Sequence, residues 1–119
     1  MTEGLTPEQQ GWISEADRSE VNGWIYLRVG GEPFQRGFQM GYLTAHEFQA
    51  AVHVYSNITY QTLGMEYSFF VEHAVKMHRP LIPEELMQEM DGMAAGYTAA
   101  GYPTTTDDII GSVELATKA

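Results

Sequence analysis

Gly31-Glu32-Pro33-Phe34-Gln35-Arg36-Gly37-Phe38-Gln39-Met40-Gly41 is the segment on which this fold hangs. Pro33 stands where a helix begins. The N–H it lacks is one that a first helical turn leaves unpaired anyway. Phe34 and Phe38 lie four apart, on one helical face. Gly37 and Gly41 are also four apart, and each glycine inside a helix costs about 1 kcal/mol. Such a pair is expected where another backbone approaches closely. The plain expectation is tight contact of this helix on a sheet, and the sharper one is contact with a ligand. Arg36 reads as a surface or ion-pair residue.

Upstream, Asn22-Gly23 is a turn signal. Trp24-Ile25-Tyr26-Leu27-Arg28-Val29 then alternates, with Ile25, Leu27 and Val29 on one face and Trp24, Tyr26 and Arg28 on the other. That is a strand with one face in an apolar layer, ended by Gly30-Gly31. Residues 1–22 form a polar lead segment. Thr6-Pro7-Glu8-Gln9 reads as a helix start, and Trp12 and Ile13 hold the segment to a surface. A lone strand leaves its backbone groups without partners. Either a second strand escapes this reading or the strand pairs with another polypeptide.

Downstream, apolar residues at spacings of mainly three to five predict one long helix from about Pro33 to Leu63, stopped by Gly64. A second helix runs from Glu66 or Ser68 to about Met77, before Arg79-Pro80. A third begins at Pro83 and is acidic in its first turn. Leu86, Met87, Met90, Met93, Ala94 and Tyr97 form its apolar face. Gly101-Tyr102-Pro103 breaks it, and Thr106 or Asp107 caps a last helix to about Ala116. The class is α+β: mostly helical, with one clear strand.

With 119 residues the chain has the size of one domain with one core. Six basic against sixteen acidic residues give a net charge of −10. So acidic a chain is a poor partner for nucleic acid or anionic membranes. No run approaches the ~20 apolar residues of a membrane span. There is no cysteine, which removes disulfides, thiolate metal sites and a cysteine nucleophile within the chain. No secretory core follows a basic start, which favours the cytoplasm, with a removed leader as the alternative.

Gly-Trp-Ile-Tyr-Leu at 23–27, the Gly-x-Pro-Phe-x-Arg-Gly-x-Gln-x-Gly segment at 31–41, and Tyr42-Leu43 together resemble the start of isopenicillin N acyltransferase-like proteins. The close resemblance covers residues 23–48. A looser one covers 83–115, where Glu-Glu-Leu, Asp-Gly-Met-Ala-Ala-Gly and Thr-Asp-Asp-Ile-Ile fall in the family's order. Met40 stands where the family usually has His. The family consists of self-cleaving N-terminal-nucleophile (Ntn) hydrolases acting on linear amides.

The resemblance implies an αββα sandwich completed by a second chain. Residues 23–119 would be the α-chain portion of that shared domain. The precursor of such an enzyme cuts itself before a cysteine, which becomes the nucleophile of the larger β chain. No catalytic residue is then expected in this chain, and the chemistry needs no cofactor or metal. Ala119 is expected at the processing boundary or at the edge of an excised linker. Partners would be the β chain and a small acyl-amide substrate, with a higher oligomer of the heterodimer as an option. Phe38, Met40, Tyr42 and Tyr60 are candidates for an acyl pocket, and Glu114, in the last helix, for a place near the nucleophile.

Other candidates reduce to ordinary roles. His46-Glu47 resembles the start of a zinc-protease helix, but Ala50 stands where a second His is needed. His46 and His53 are seven apart, too far for one metal without other ligands. His73 and His78 face different directions. Glu84, Glu85 and Glu89 read as a solvated helix start, and Met87, Met90 and Met93 as core or a partner interface. Asn57-Ile58-Thr59 matches a glycosylation sequon inside a predicted helix and is read as chance. Two other readings compete. One is a stand-alone acidic helical domain that binds another protein. The other is a Ser-His-Asp hydrolase, for which no nucleophile-elbow motif exists.

Overall fold

In the computed structural model a hairpin, not a lone strand, follows the first helix. The structure describes residues 4–118, with side chains through Ser112. Glu114's side chain and Ala119 therefore lie outside the described residues. Helix α1 spans Pro7–Ser14 and opens on a capping box: Thr6 Oγ1 accepts from the Gln9 N–H, and Gln9 Oε1 accepts from the Thr6 N–H, each at 3.1 Å. Strands β1 (Asp17–Val21) and β2 (Trp24–Arg28) pair antiparallel, with Val21 opposite Trp24 and Asp17 opposite Arg28.

Asn22 and Gly23 close the hairpin at φ 53° and 82°. Both are left-handed, as a two-residue turn of the strand-matching kind requires. The missing partner of β2 is thus Asp17-Arg-Ser-Glu-Val, which shows no apolar alternation and has little strand propensity. The turn chemistry carried the signal instead. Since the turn sits at 22–23, the lead segment contributes β1. The expected apolar layer is thin: Leu27 and Val29 are half-buried, and Ile25 is at the edge of exposure.

The expected long helix is broken. Helix α2 ends at Leu43 (Pro33–Leu43), α3 runs over Ala45–Ile58, and a π-helical turn covers Thr59–Leu63. Thr44 between them has φ −122° and ψ 17°, and its hydroxyl donates to the Met40 carbonyl at 2.7 Å. The Leu43 carbonyl is taken by the Arg18 guanidinium. A break is stable here because the Met40 carbonyl is held by the capping Thr44 and the Leu43 carbonyl finds a partner off the helix. Gly64 ends the π turn at φ 69°, as expected for a stop.

Helix α4 spans Tyr67–His78, and a short 3₁₀ turn follows at Arg79–Leu81. Helices α5 (Glu84–Ala99) and α6 (Thr106–Lys118) complete the described chain. The α6 cap is one residue earlier than expected: Thr105 Oγ1 accepts from the Asp108 N–H, and Asp108 Oδ2 accepts from the Thr105 N–H. The described chain is therefore mostly helical with one two-stranded antiparallel sheet. No helix of it is long and apolar enough to cross a membrane.

The centre of the fold is the crossing of α2 on α5. A Cβ on Gly37 or Gly41 would collide with the carbonyl of Glu89 or Met93. A Cβ on Gly92 or Gly96 would collide with the carbonyl of Phe34 or Phe38. Two glycine pairs, each four apart, let the two backbones touch along one stripe. The close approach expected for Gly37 and Gly41 is present, but the opposing backbone is a helix rather than a sheet. The core adjoining it gathers Ala45, Met90, Ala94, Tyr97, Ile109 and Ile110. Trp12 meets Phe38 edge-on at 5.4 Å between ring centres and Phe34 at 6.0 Å, which anchors α1.

Candidate functional site

Arg18 links the hairpin to the break between α2 and α3. Its guanidinium binds the Leu43 carbonyl and the Glu47 carboxylate, with Glu20 at 3.7 Å. The side chain is only about a quarter exposed, so the pairing is shielded more than a surface ion pair. Beside it opens a cleft of about 440 Å³. The hairpin contributes Arg18 and Glu20, the α2–α3 junction Tyr42 and His46, and the turn after α5 Ala100 and Tyr102. This volume falls in the range of small-molecule sites.

The charges and rings of the lining set what this cleft could accommodate. Two carboxylates against one guanidinium disfavour an anionic ligand and suit a neutral amide or an amine. The Tyr42 and Tyr102 rings offer apolar faces with a polar tip.

A second cleft of about 240 Å³ lies between α3, α4 and the start of α6, lined by Phe48, Gln49, Val52, Tyr67, Thr104 and Asp108 among others. The Tyr67 hydroxyl is buried, and it has no hydrogen-bond partner among the described residues. Burial, with the negative charge of Asp108 adding to it, pushes the phenol up to about 12. Tyr97, stacked on Phe48 at 4.3 Å, is also raised by burial, and a hydrogen bond with Thr44 opposes the rise.

The residues expected at a pocket are dispersed. Tyr42 lines the first cleft. Phe38 is fully buried, stacked parallel to Tyr42 at 6.1 Å, and lines neither cleft. Met40 is half-buried on α2. Tyr60 is 63% exposed on the π turn. Glu85 and Glu89 do more than face solvent: they hold the Arg36 guanidinium at 2.7 and 2.8 Å across the α2–α5 crossing. Those bonds, Glu89 first, raise the Arg36 pKa further.

Sequence reasoning missed Arg18, Gln39, Glu47 and Tyr67. Gln39 is fully buried: its Oε1 accepts from the Gly30 N–H, and its Nε2 donates to the Trp12 carbonyl, each at 2.8 Å. A polar residue set between Phe38 and Met40 was the available signal. His46 and His53 are exposed on α3. His73 lies against the Phe69 ring. Among the described residues, no three of His, Cys, Asp and Glu come together as a metal site would need.

Each Lys or Arg whose side chain is described also has a carboxylate beside it: Arg18 with Glu47, Arg28 with Asp17, Arg36 with Glu89, Lys76 with Glu72, and Arg79 with Asp107. The surface is left with an excess of unmatched acid. No protein-family model, curated protein or solved structure matches this chain.

Proposed function

We propose that this chain is the α chain of a self-cleaving Ntn amidohydrolase or acyltransferase. One observation carries the proposal. The two separated stretches that resemble isopenicillin N acyltransferase-like proteins, 23–48 and 83–115, meet in space through Gly37, Gly41, Gly92 and Gly96. In such an enzyme the partner's N-terminal cysteine attacks the carbonyl of a linear amide. The C–N bond breaks, the amine leaves with a proton, and a thioester forms. Water or an acceptor amine then releases the acyl group. This chain would supply a wall of the substrate site and no nucleophile. The cleft beside Arg18, with Tyr42 and Tyr102, is the wall proposed for the amide.

The hairpin gives further support. Trp24 is 71% exposed and Tyr26 57%, on a sheet of two strands whose outer edges are unpaired among the described residues. Large aromatic exposure beside open strand edges is what a covering partner removes. The test is intact-mass analysis and N-terminal sequencing of whatever co-purifies with this chain from its native source. An equimolar second chain beginning with Cys is the expected result. A single monomeric species that folds cooperatively would overturn the proposal.

That second outcome belongs to the other reading, a stand-alone acidic interaction domain. It is favoured by the chain's own core around Tyr97 and Ile109, and by the carboxylate pairing of its cations. Its partner would be basic. Thermal unfolding separates the two readings: a stand-alone domain melts in one reversible step, and an isolated α chain aggregates.

A further inference from the structure

The chain contains two asparagines, Asn22 and Asn57, in opposite settings. Asn22 is exposed at the hairpin tip and is followed by exposed Gly23, around whose α-carbon the space is open. The paired residues of the hairpin are Val21 and Trp24, so the Gly23 N–H points outside the ladder. Asn57 lies in α3 and is followed by Ile58, which is β-branched and whose N–H belongs to the helical hydrogen-bond pattern. Asparagine is the thermolabile residue type for which this difference counts. We propose that Asn22 is a spontaneous modification site, at which the Gly23 backbone nitrogen displaces the side-chain amide.

The step balances without any co-reactant but water. The Gly23 nitrogen loses its proton to base and attacks Asn22 Cγ. The Cγ–NH₂ bond breaks, ammonia leaves, and a five-membered imide closes. Water then opens the ring at either carbonyl. Opening at Cγ breaks the Cγ–N bond and leaves the original main-chain peptide bond to Gly23, and opening at the main-chain carbonyl breaks that carbonyl's bond to nitrogen and leaves the link running through Cβ and Cγ. The two products are therefore aspartate, with the normal backbone, and isoaspartate, with one extra methylene in the main chain. Aspartate fits the left-handed turn position. The isoaspartate methylene falls between Val21 and Trp24 and breaks their pairing. Either product adds one negative charge to a chain already at −10.

The test is incubation of the full chain at mildly alkaline pH, followed by peptide mapping that separates aspartate from isoaspartate. Conversion at Asn22 at least about tenfold faster than at Asn57, equivalent to about 1.4 kcal/mol of barrier, is expected. Ammonia should be released in step with conversion. Equal rates at the two sites, or no conversion at Asn22, would overturn the proposal. Hydrogen exchange at Val21 and Trp24 tests the structural consequence. The Asn22→Asp variant should keep the protection of the unmodified chain, and the isoaspartate fraction should lose it. Retained protection in that fraction would overturn the claim that the added methylene breaks the hairpin.

Discussion

Gly37 of α2 lies so close to Glu89 of α5 that a Cβ on the glycine would sit 2.9 Å from the Glu89 carbonyl carbon and nearer still to its oxygen. The obstacle is backbone, which cannot rotate aside as a side chain would. Gly37→Ala gains helix propensity of about 1 kcal/mol. It must also push two helices apart along the whole glycine stripe, an overpacking cost of about 1–3 kcal/mol or more. The net change is therefore destabilising. Gly11→Ala is the control. Gly11 sits inside α1 with open space where its Cβ would go, so the same substitution should stabilise by up to about 1 kcal/mol. Opposite signs in urea unfolding are expected, and a stabilising Gly37→Ala would refute the backbone contact.

Gln39 makes a second prediction about the interior. Its amide joins the exit of β2, through Gly30, to the end of α1, through Trp12. Gln39→Leu keeps the volume and removes the partner of one donor and one acceptor that are only partly buried, so the cost lies towards the lower end of the ~1–3 kcal/mol of a fully buried group, at about 1 kcal/mol each. The loss should register as a lower urea midpoint with an unchanged slope. A neutral Gln39→Leu would mean that water satisfies both groups.

What the sequence revealed of this fold followed from steric rules. Pro33, Gly64 and the Asn22-Gly23 turn stand where backbone geometry admits few residue types, and each marked a boundary the structure keeps. The glycine pair signalled close approach because nothing else justifies two glycines on one helix face. What it could not signal was the identity of the opposing surface, since Gly92 and Gly96 lie more than fifty residues away. β1 was invisible because its residues are polar and its pairing is set by the turn. The break at Thr44 was invisible for a similar reason: the residue that captures the Leu43 carbonyl, Arg18, is distant in sequence. The cleft is assembled from three such separated pieces, so its composition was not legible in any one of them.

Arg18 is expected to hold the hairpin in place. It joins β1 to the Leu43 carbonyl and to Glu47, and no other described β1 side chain makes a hydrogen bond to a helix. Arg18→Ala leaves Glu47 half-buried without its cation. It should lower stability by about 1–2 kcal/mol, below the 3–5 kcal/mol of a fully buried pair. Amide exchange should accelerate through both strands while α2 and α5 keep their protection. Arg18→Lys supplies the charge without the planar fork and should recover only part of the loss. Equal loss of protection in α5 would show a global effect and defeat the local one.

Tyr67 gives the pH prediction. Its hydroxyl is buried without a described partner, and its pKa is raised from the ordinary 10.0 to about 12. The folded state therefore holds this proton more tightly than the unfolded state does. Linkage then requires stability to be unaffected by this group below about pH 10 and to fall as pH rises from there towards 12. Tyr67→Phe removes both the titration and the unsatisfied hydroxyl. Its shape fits the same space, so the variant should be as stable as the parent or more so, by up to about 1 kcal/mol at neutral pH. It should also show a shallower alkaline decline in melting temperature. A destabilised Tyr67→Phe at neutral pH would mean that the hydroxyl has a hydrogen-bond partner after all. An unchanged alkaline slope would place the lost stability at another group, with Tyr97, raised by burial as well, the next to replace.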